Sequence, residues 1–187
     1  MPTVLHSSLT GSDSHEPKGV SGANANEVYI ANGAGSGTWA AHSPYGGWRF
    51  ENIGGTTFTT PTSYTLMNVT SFNTGGLHDF SQNSAGRLTF SGSANRYING
   101  SVDITYSHSV GSGQDVYFAI YKNGALLSQN GVSVEQVGTA DSANFQRNTF
   151  NFDDVAATND YYEVYLKCAS GNVILHTASM LATGRPV

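Results

Sequence analysis

The sequence predicts an all-β protein: an extended N-terminal arm followed by a β-sandwich of jelly-roll type. Three observations carry this. β-favouring Tyr, Phe, Val and Thr are common, while helix-favouring Leu, Glu, Lys and Arg are scarce. Glycine accounts for 22 of 187 residues, and Ser, Thr and Asn are abundant, so tight turns are plentiful. From Trp48 onward, short alternating apolar and polar runs recur between turn residues.

The arm, residues 1–47, carries Gly11, Gly19, Gly22, Gly33, Gly35, Gly37, Gly46 and Gly47 together with Pro17 and Pro44. It has one short β-like island, Glu27-Val28-Tyr29-Ile30, and few large apolar groups, so it buries too little surface to fold alone. Order in it requires a partner surface. The head, residues 48–187, offers ten candidate strands. The first five are Trp48–Asn52, Tyr64–Thr70, Leu77–Ser81, Arg87–Ser91 and Tyr97–Ser107. Asp115–Lys122, Val132–Val137, Phe145–Phe152, Tyr161–Ala169 and Val173–Leu181 complete the set. Asn123-Gly124 after Ala119-Ile120-Tyr121 is a hairpin signal, because both residues tolerate the positive φ of a two-residue turn. Ten short strands so punctuated imply a sandwich.

Alternation assigns faces. Val102, Ile104 and Tyr106 point to a core, with Ser101, Asp103, Thr105 and Ser107 opposite. Val116, Phe118 and Ile120 form another core face, as do Tyr162, Val164, Leu166 and Cys168. Opposite these lie Tyr117 with Tyr121 and Tyr161 with Tyr165, an aromatic row suited to burial against another subunit.

Composition bounds the partners. The net charge is −5, and no run of Lys or Arg is present, so a nucleic-acid partner is not expected. Apolar runs such as Val173-Ile174-Leu175 are too short for membrane insertion. Met1 to Thr10 lacks the basic start and apolar core of a signal peptide, and Cys168 is the single cysteine, so folding in a reducing cytosol is expected. The sequons Asn68-Val69-Thr70 and Asn99-Gly100-Ser101 are chance matches in such a composition.

The expectation for chemistry is that this is not an enzyme, with no catalytic residues, no metal and no cofactor. A hydrolase needs a nucleophile, a base and an orienting acid, and no Gly-x-Ser-x-Gly elbow follows a buried strand; Gly33-Ala34-Gly35-Ser36-Gly37 lies in the arm. That run also lacks a following Lys-[ST] for a phosphate cradle. Asp153, Asp154 and Asp160 are the acidic cluster a glycan depolymerase would use, and read as a solvated loop. His6, His42, His78, His108 and His176 have no ligand spacing, and His15 and Glu16 are adjacent. His108 and His176 read as strand-end or core residues, and Cys168 as a small buried hydrophobe.

Two resemblances add to this. Tyr97-Ile98-Asn99-Gly100-Ser101-Val102-Asp103-Ile104, Val116 to Gly124, and Asn159-Asp160-Tyr161-Tyr162-Glu163-Val164-Tyr165-Leu166 together resemble the TNF/C1q-like jelly roll, over about half the chain. That resemblance implies a homotrimer packed through aromatic-rich sheets, with Tyr117, Tyr121, Tyr161 and Tyr165 as the expected trimer contacts. Leu9 to Val20, with the core His15-Glu16-Pro17-Lys18-Gly19, then Ala23 to Tyr29 and Gly33 to Trp39, resemble a segment of fibre and decoration proteins of tailed bacteriophages.

The second resemblance implies a structural virion protein, assembled in the host cytoplasm: a capsid decoration or head-fibre protein whose partner is the major capsid protein or another virion protein. The expected docking residues are His15, Glu16, Pro17, Lys18, Gly19, Val20, Val28, Tyr29, Ile30 and Trp39. A Gly-rich chain can add to a neighbour's sheet edge, and three arms on one trimer raise attachment through effective concentration. The alternative is a tail-fibre tip or adaptor binding a host surface glycan, with Trp48, Tyr45 or Tyr64 stacking on sugar rings. A glycan-cleaving enzyme and a secreted C1q-like binding protein are the readings from other classes.

Overall fold

Beyond the arm, most strands belong to two antiparallel sheets packed face to face, each containing strands far apart in the chain, and two further short strands pair as a sheet of their own. The structure is a computed structural model and describes residues 23, 27–31, 37–69, 72–73, 77–83, 85–110, 114–129, 132–133, 135–140 and 144–187. In chain order the strands are β1 Glu27–Ala31, β2 Gly37–Ala41, β3 Tyr45–Phe58, β4 Thr65–Leu66, β5 Phe72–Asn73, β6 Phe80–Gln82, β7 Leu88–Phe90 and β8 Arg96–His108. β9 Gln114–Lys122, β10 Ala125–Leu126, β11 Ser128–Gln129, β12 Val132–Ser133, β13 Glu135–Ala140, β14 Gln146–Ala156, β15 Tyr161–Cys168 and β16 Val173–Pro186 follow.

One sheet runs β14-β8-β16-β3-β5; the other runs β10-β9-β15-β7-β6, with β13 on β9 and β4 on β15. The neighbours are mostly non-consecutive, which is jelly-roll topology. The chain divides into two units, Met1–His42 and Ser43–Val187. β3 begins at Tyr45 rather than Trp48, because Tyr45, Gly46 and Gly47 pair with Thr183, Ala182 and Leu181.

The alternation read from sequence sets the core. Val102, Ile104 and Tyr106 from β8 are buried, as are Val116, Phe118 and Ile120 from β9 and Tyr162, Val164, Leu166 and Cys168 from β15. Tyr106 meets Phe118 edge to face at 4.9 Å, and Phe152 meets Tyr162 at 5.2 Å, each joining one sheet to the other. Each such side chain contributes about 1.5–3 kcal/mol by leaving water. Burial, reinforced by the Asp115 charge, pushes the Tyr106 phenol up to about 12. Asn123 and Gly124 take φ of 52° and 79°, the two-residue hairpin turn between β9 and β10. β16 bulges between Leu175 and Thr177, at His176.

Candidate functional site

The described part of the arm is a hairpin. β1 pairs with β2 over Glu27↔Ala41 to Ala31↔Gly37. The island expected as an extended strand for docking therefore already satisfies much of its backbone hydrogen bonding within the arm. Tyr29 and Trp39 are cross-strand partners with ring centroids 5.3 Å apart. Val28 and Ile30 remain 42% and 54% exposed. Of the expected docking residues, His15, Glu16, Pro17, Lys18, Gly19 and Val20 lie outside the described residues.

On the outer face of β9 and β15, the expected trimer tyrosines are engaged by their own chain. Tyr121 stacks on Tyr165 at 3.9 Å, and Tyr64 meets Tyr121 edge-on at 5.9 Å. The Arg87 guanidinium lies 3.9 Å from the Tyr161 ring centroid, and its Nη2 reaches the buried Glu163 carboxylate at 2.8 Å. Lys167 Nζ lies between Tyr64, at 4.1 Å, and Tyr117, at 4.8 Å. All four expected tyrosines are half-buried by these neighbours.

The outer face of the other sheet carries a feature that sequence reasoning missed. Across β14, β8 and β16, Val155, Tyr97 and Arg185 form one row, and Asp153, Asn99 and Thr183 the next. Tyr45 on β3 continues that second row, opposite Thr183. Leu181 lies one row further in and rests across Gly47, where a side chain would collide with it. Tyr45, Tyr97, Val155 and Leu181 are 42%, 42%, 38% and 49% exposed. A cavity of about 400 Å³ opens between Tyr97, Asn99, Asp153, Thr183 and Arg185. Asn99 Nδ2 donates to Asp153 Oδ1 at 2.6 Å, and Arg185 stands over Tyr97 at 5.0 Å. The signal in the sequence was the break in polar alternation at Leu181.

The acidic cluster is not the solvated loop that sequence suggested. Asp153 and Asp154 lie within β14. Lys122 Nζ sits 2.6 Å from Asp154 Oδ2 and 2.9 Å from Asp160 Oδ2, and donates to the Val155 carbonyl at 2.8 Å. Tyr162 donates its hydroxyl to Asp154 Oδ2 at 2.7 Å, and Asn123 Nδ2 donates to Asp160 Oδ1 at 2.7 Å. Burial opposes the charge on Lys122, but its bonds to the two carboxylates win and raise its pKa. For Asp160 burial works upward, yet the Ala157 N–H, Asn123 and Lys122 together hold its pKa below the ordinary value. Burial, then the Asp154 hydrogen bond, pushes the Tyr162 phenol far above its usual range. Asp154 and Asp160 share one ammonium and are committed to fixed hydrogen bonds, unlike a poised acid–base pair.

Trp48, a candidate sugar platform from sequence, is fully buried in the core. His108 is buried too, its Nδ1 accepting from the Val110 N–H at 3.2 Å. Ser107 Oγ lies 3.0 Å from His176 Nε2, but His176 Nδ1 has no hydrogen-bond partner among the described residues, so nothing orients that ring as a triad acid would. Cys168 is buried, donates its thiol to the Ser170 carbonyl at 3.3 Å and has its pKa raised by burial, so it is an inert core residue. Among the described residues no cluster of His, Cys, Asp or Glu is placed to hold a metal ion.

No family model matches the chain. No curated protein matches it either. Among solved structures, the Eiger TNF of S. frugiperda is similar with a TM-score of 0.51 at 11% identity, covering 76% of this chain and 94% of that one. The globular domain of the zebrafish complement 1qA protein matches with a TM-score of 0.51 at 10% identity, over 78% and 98% of the two chains. The PRD1 vertex protein P5 has a TM-score of 0.49 at 8% identity, over 77% and 97%. The sandwich is a TNF/C1q-like jelly roll. At such identities the likeness speaks for the fold alone.

Proposed function

We propose that this chain is a non-enzymatic structural protein of a tailed-phage particle, a capsid decoration or head-fibre protein that docks on the shell through its N-terminal arm. The carrying observation is the arm itself. Residues 9–39 resemble the leading segment of such proteins, and Met1–His42 is a unit apart from the jelly roll that presents Val28 and Ile30 to solvent. The partner is the major capsid protein or another virion protein.

The head associates as a homotrimer in this reading. The tyrosine row is half-buried by neighbours in its own chain, and the face bearing the more exposed Tyr45, Tyr97, Val155 and Leu181 is the contact surface inferred for a second copy. Exposed apolar groups gathered on one sheet face favour an interface.

Deleting residues 1–42 tests the proposal. The expected product is a folded trimer that no longer decorates purified particles; full occupancy by the truncated chain overturns the docking role. Cryo-electron microscopy of the particle separates this reading from a tail-fibre tip or adaptor, since density on capsid lattice sites supports the first and density at the tail supports the second.

A further inference from the structure

We propose that the row Tyr64–Lys167–Tyr117 is a binding site for an acidic saccharide, taking one carboxylate-bearing sugar residue. Lys167 on β15 stands directly opposite Tyr117 on β9. The segment leading into β4 runs along the other side of β15, fixed by the Cys168 N–H donating to the Pro61 carbonyl at 2.8 Å and by the pairing Tyr165↔Leu66. That segment brings Tyr64 to the far side of the ammonium. The charge is thus held between two rings, 4.1 Å and 4.8 Å from their centroids.

Most of the described cations are paired with a carboxylate, and Lys167 is not. Arg49, Arg87, Lys122 and Arg147 each meet a carboxylate. Lys167, like Arg96 and Arg185, meets none among the described residues, and it is the one flanked by two rings. Ring faces orient and stabilise an ammonium without neutralising it, so the site retains a charge that an anion can complete. Beside it opens a cavity of about 330 Å³, bounded by Thr62, Tyr117, Lys167, Cys168 and Ala169. That volume lies at the small end of ligand pockets, on the order of 300–1,000 Å³, and suits a single ring. A sugar acid matches the set: its carboxylate forms a charge-assisted bond with Lys167, its C–H face packs on Tyr117, and its hydroxyls reach Thr62. The cavity is lined by a cation and no carboxylate, whereas the Tyr97 cavity carries Asp153 as well as Arg185. The inference does not depend on where the chain sits in a particle.

The test is saturation-transfer NMR and titration of the full chain with D-glucuronic acid and N-acetylneuraminic acid. Glucose serves as the uncharged ring and acetate as the carboxylate without a ring. Both sugar acids are expected to bind at least about tenfold more tightly than either control, and to weaken as salt rises. Lys167→Met keeps the aliphatic stem over Tyr64 and should lose at least about tenfold in affinity with the unfolding temperature retained. Tyr117→Phe should bind and Tyr117→Ala should not. Absence of binding, equal binding of glucose, or an unchanged Lys167→Met protein overturns the assignment. If Lys167→Met fails to fold, the wild-type salt dependence decides, and affinity indifferent to ionic strength also overturns it.

Discussion

Lys122 and Asp154 meet at 2.6 Å between β9 and β14, and the same ammonium reaches Asp160 at 2.9 Å in the turn before β15. One cation therefore ties three elements together at one end of the sandwich. Lys122→Met leaves two carboxylates beside the buried Tyr162 hydroxyl with no neutralising charge. A loss of about 2–3 kcal/mol in denaturant unfolding is expected, reduced from the fully buried case by residual solvent access. Asp154→Asn, which keeps an acceptor for Tyr162, should cost less.

The same cluster sets a pH dependence. The folded-state pKa of Asp160 is lowered, so its contribution is present above the unfolded carboxylate value, about 3.9, and is lost as pH falls through the lower folded value. The folded-state pKa of Lys122 is raised, so its contribution is complete below the unfolded lysine value, about 10.4, and is lost as pH rises through the higher folded one. Stability followed by urea unfolding should fall at both extremes, and Asp160→Asn should flatten the acid limb.

Phe118 is fully buried and meets Tyr106 edge-on across the two sheets. Phe118→Ala removes that contact and leaves a cavity, at an expected cost of about 3–5 kcal/mol. Calorimetry checks it, and retention of the wild-type melting temperature would show that the core had collapsed around the gap.

Gly124 holds φ of 79° in the β9–β10 turn. Gly124→Ala forces a side chain into that conformation and should cost about 1 kcal/mol in denaturant unfolding.

Leu181 tests the self-association face. Leu181→Lys places a charge among Tyr45, Tyr97 and Val155 on a surface that is solvated in an isolated copy. Circular dichroism should stay unchanged while light scattering shows a smaller species; an unaltered trimer would place the contact elsewhere.

Much of the fold was legible because alternation is a local property. Val102-Ile104-Tyr106 and Val116-Phe118-Ile120 announce their inward faces in a few residues, and Asn123-Gly124 announces its turn. What escaped was set by distant pairing. Asp153 and Asp154 looked like a loop because no local pattern shows that Arg96 to Tyr106 lies alongside and extends β14 to Ala156. Trp48 is a candidate sugar platform by sequence, yet the two glycines before it pair with β16 and it lies in the core. The Tyr64–Lys167–Tyr117 row joins residues from three separate segments, so no stretch of sequence contains it.

The position of β16 has a consequence for biogenesis. Residues 173–186 slot between β8 and β3, two strands that meet no other way across that sheet. Until those residues have joined the sheet, both strands carry bare hydrogen-bonding edges, and half the core has no floor. Productive folding therefore waits for β16, with a slow, long-range closing step. A chain stopped short of Val173 is the species most prone to clump with its siblings through those open edges.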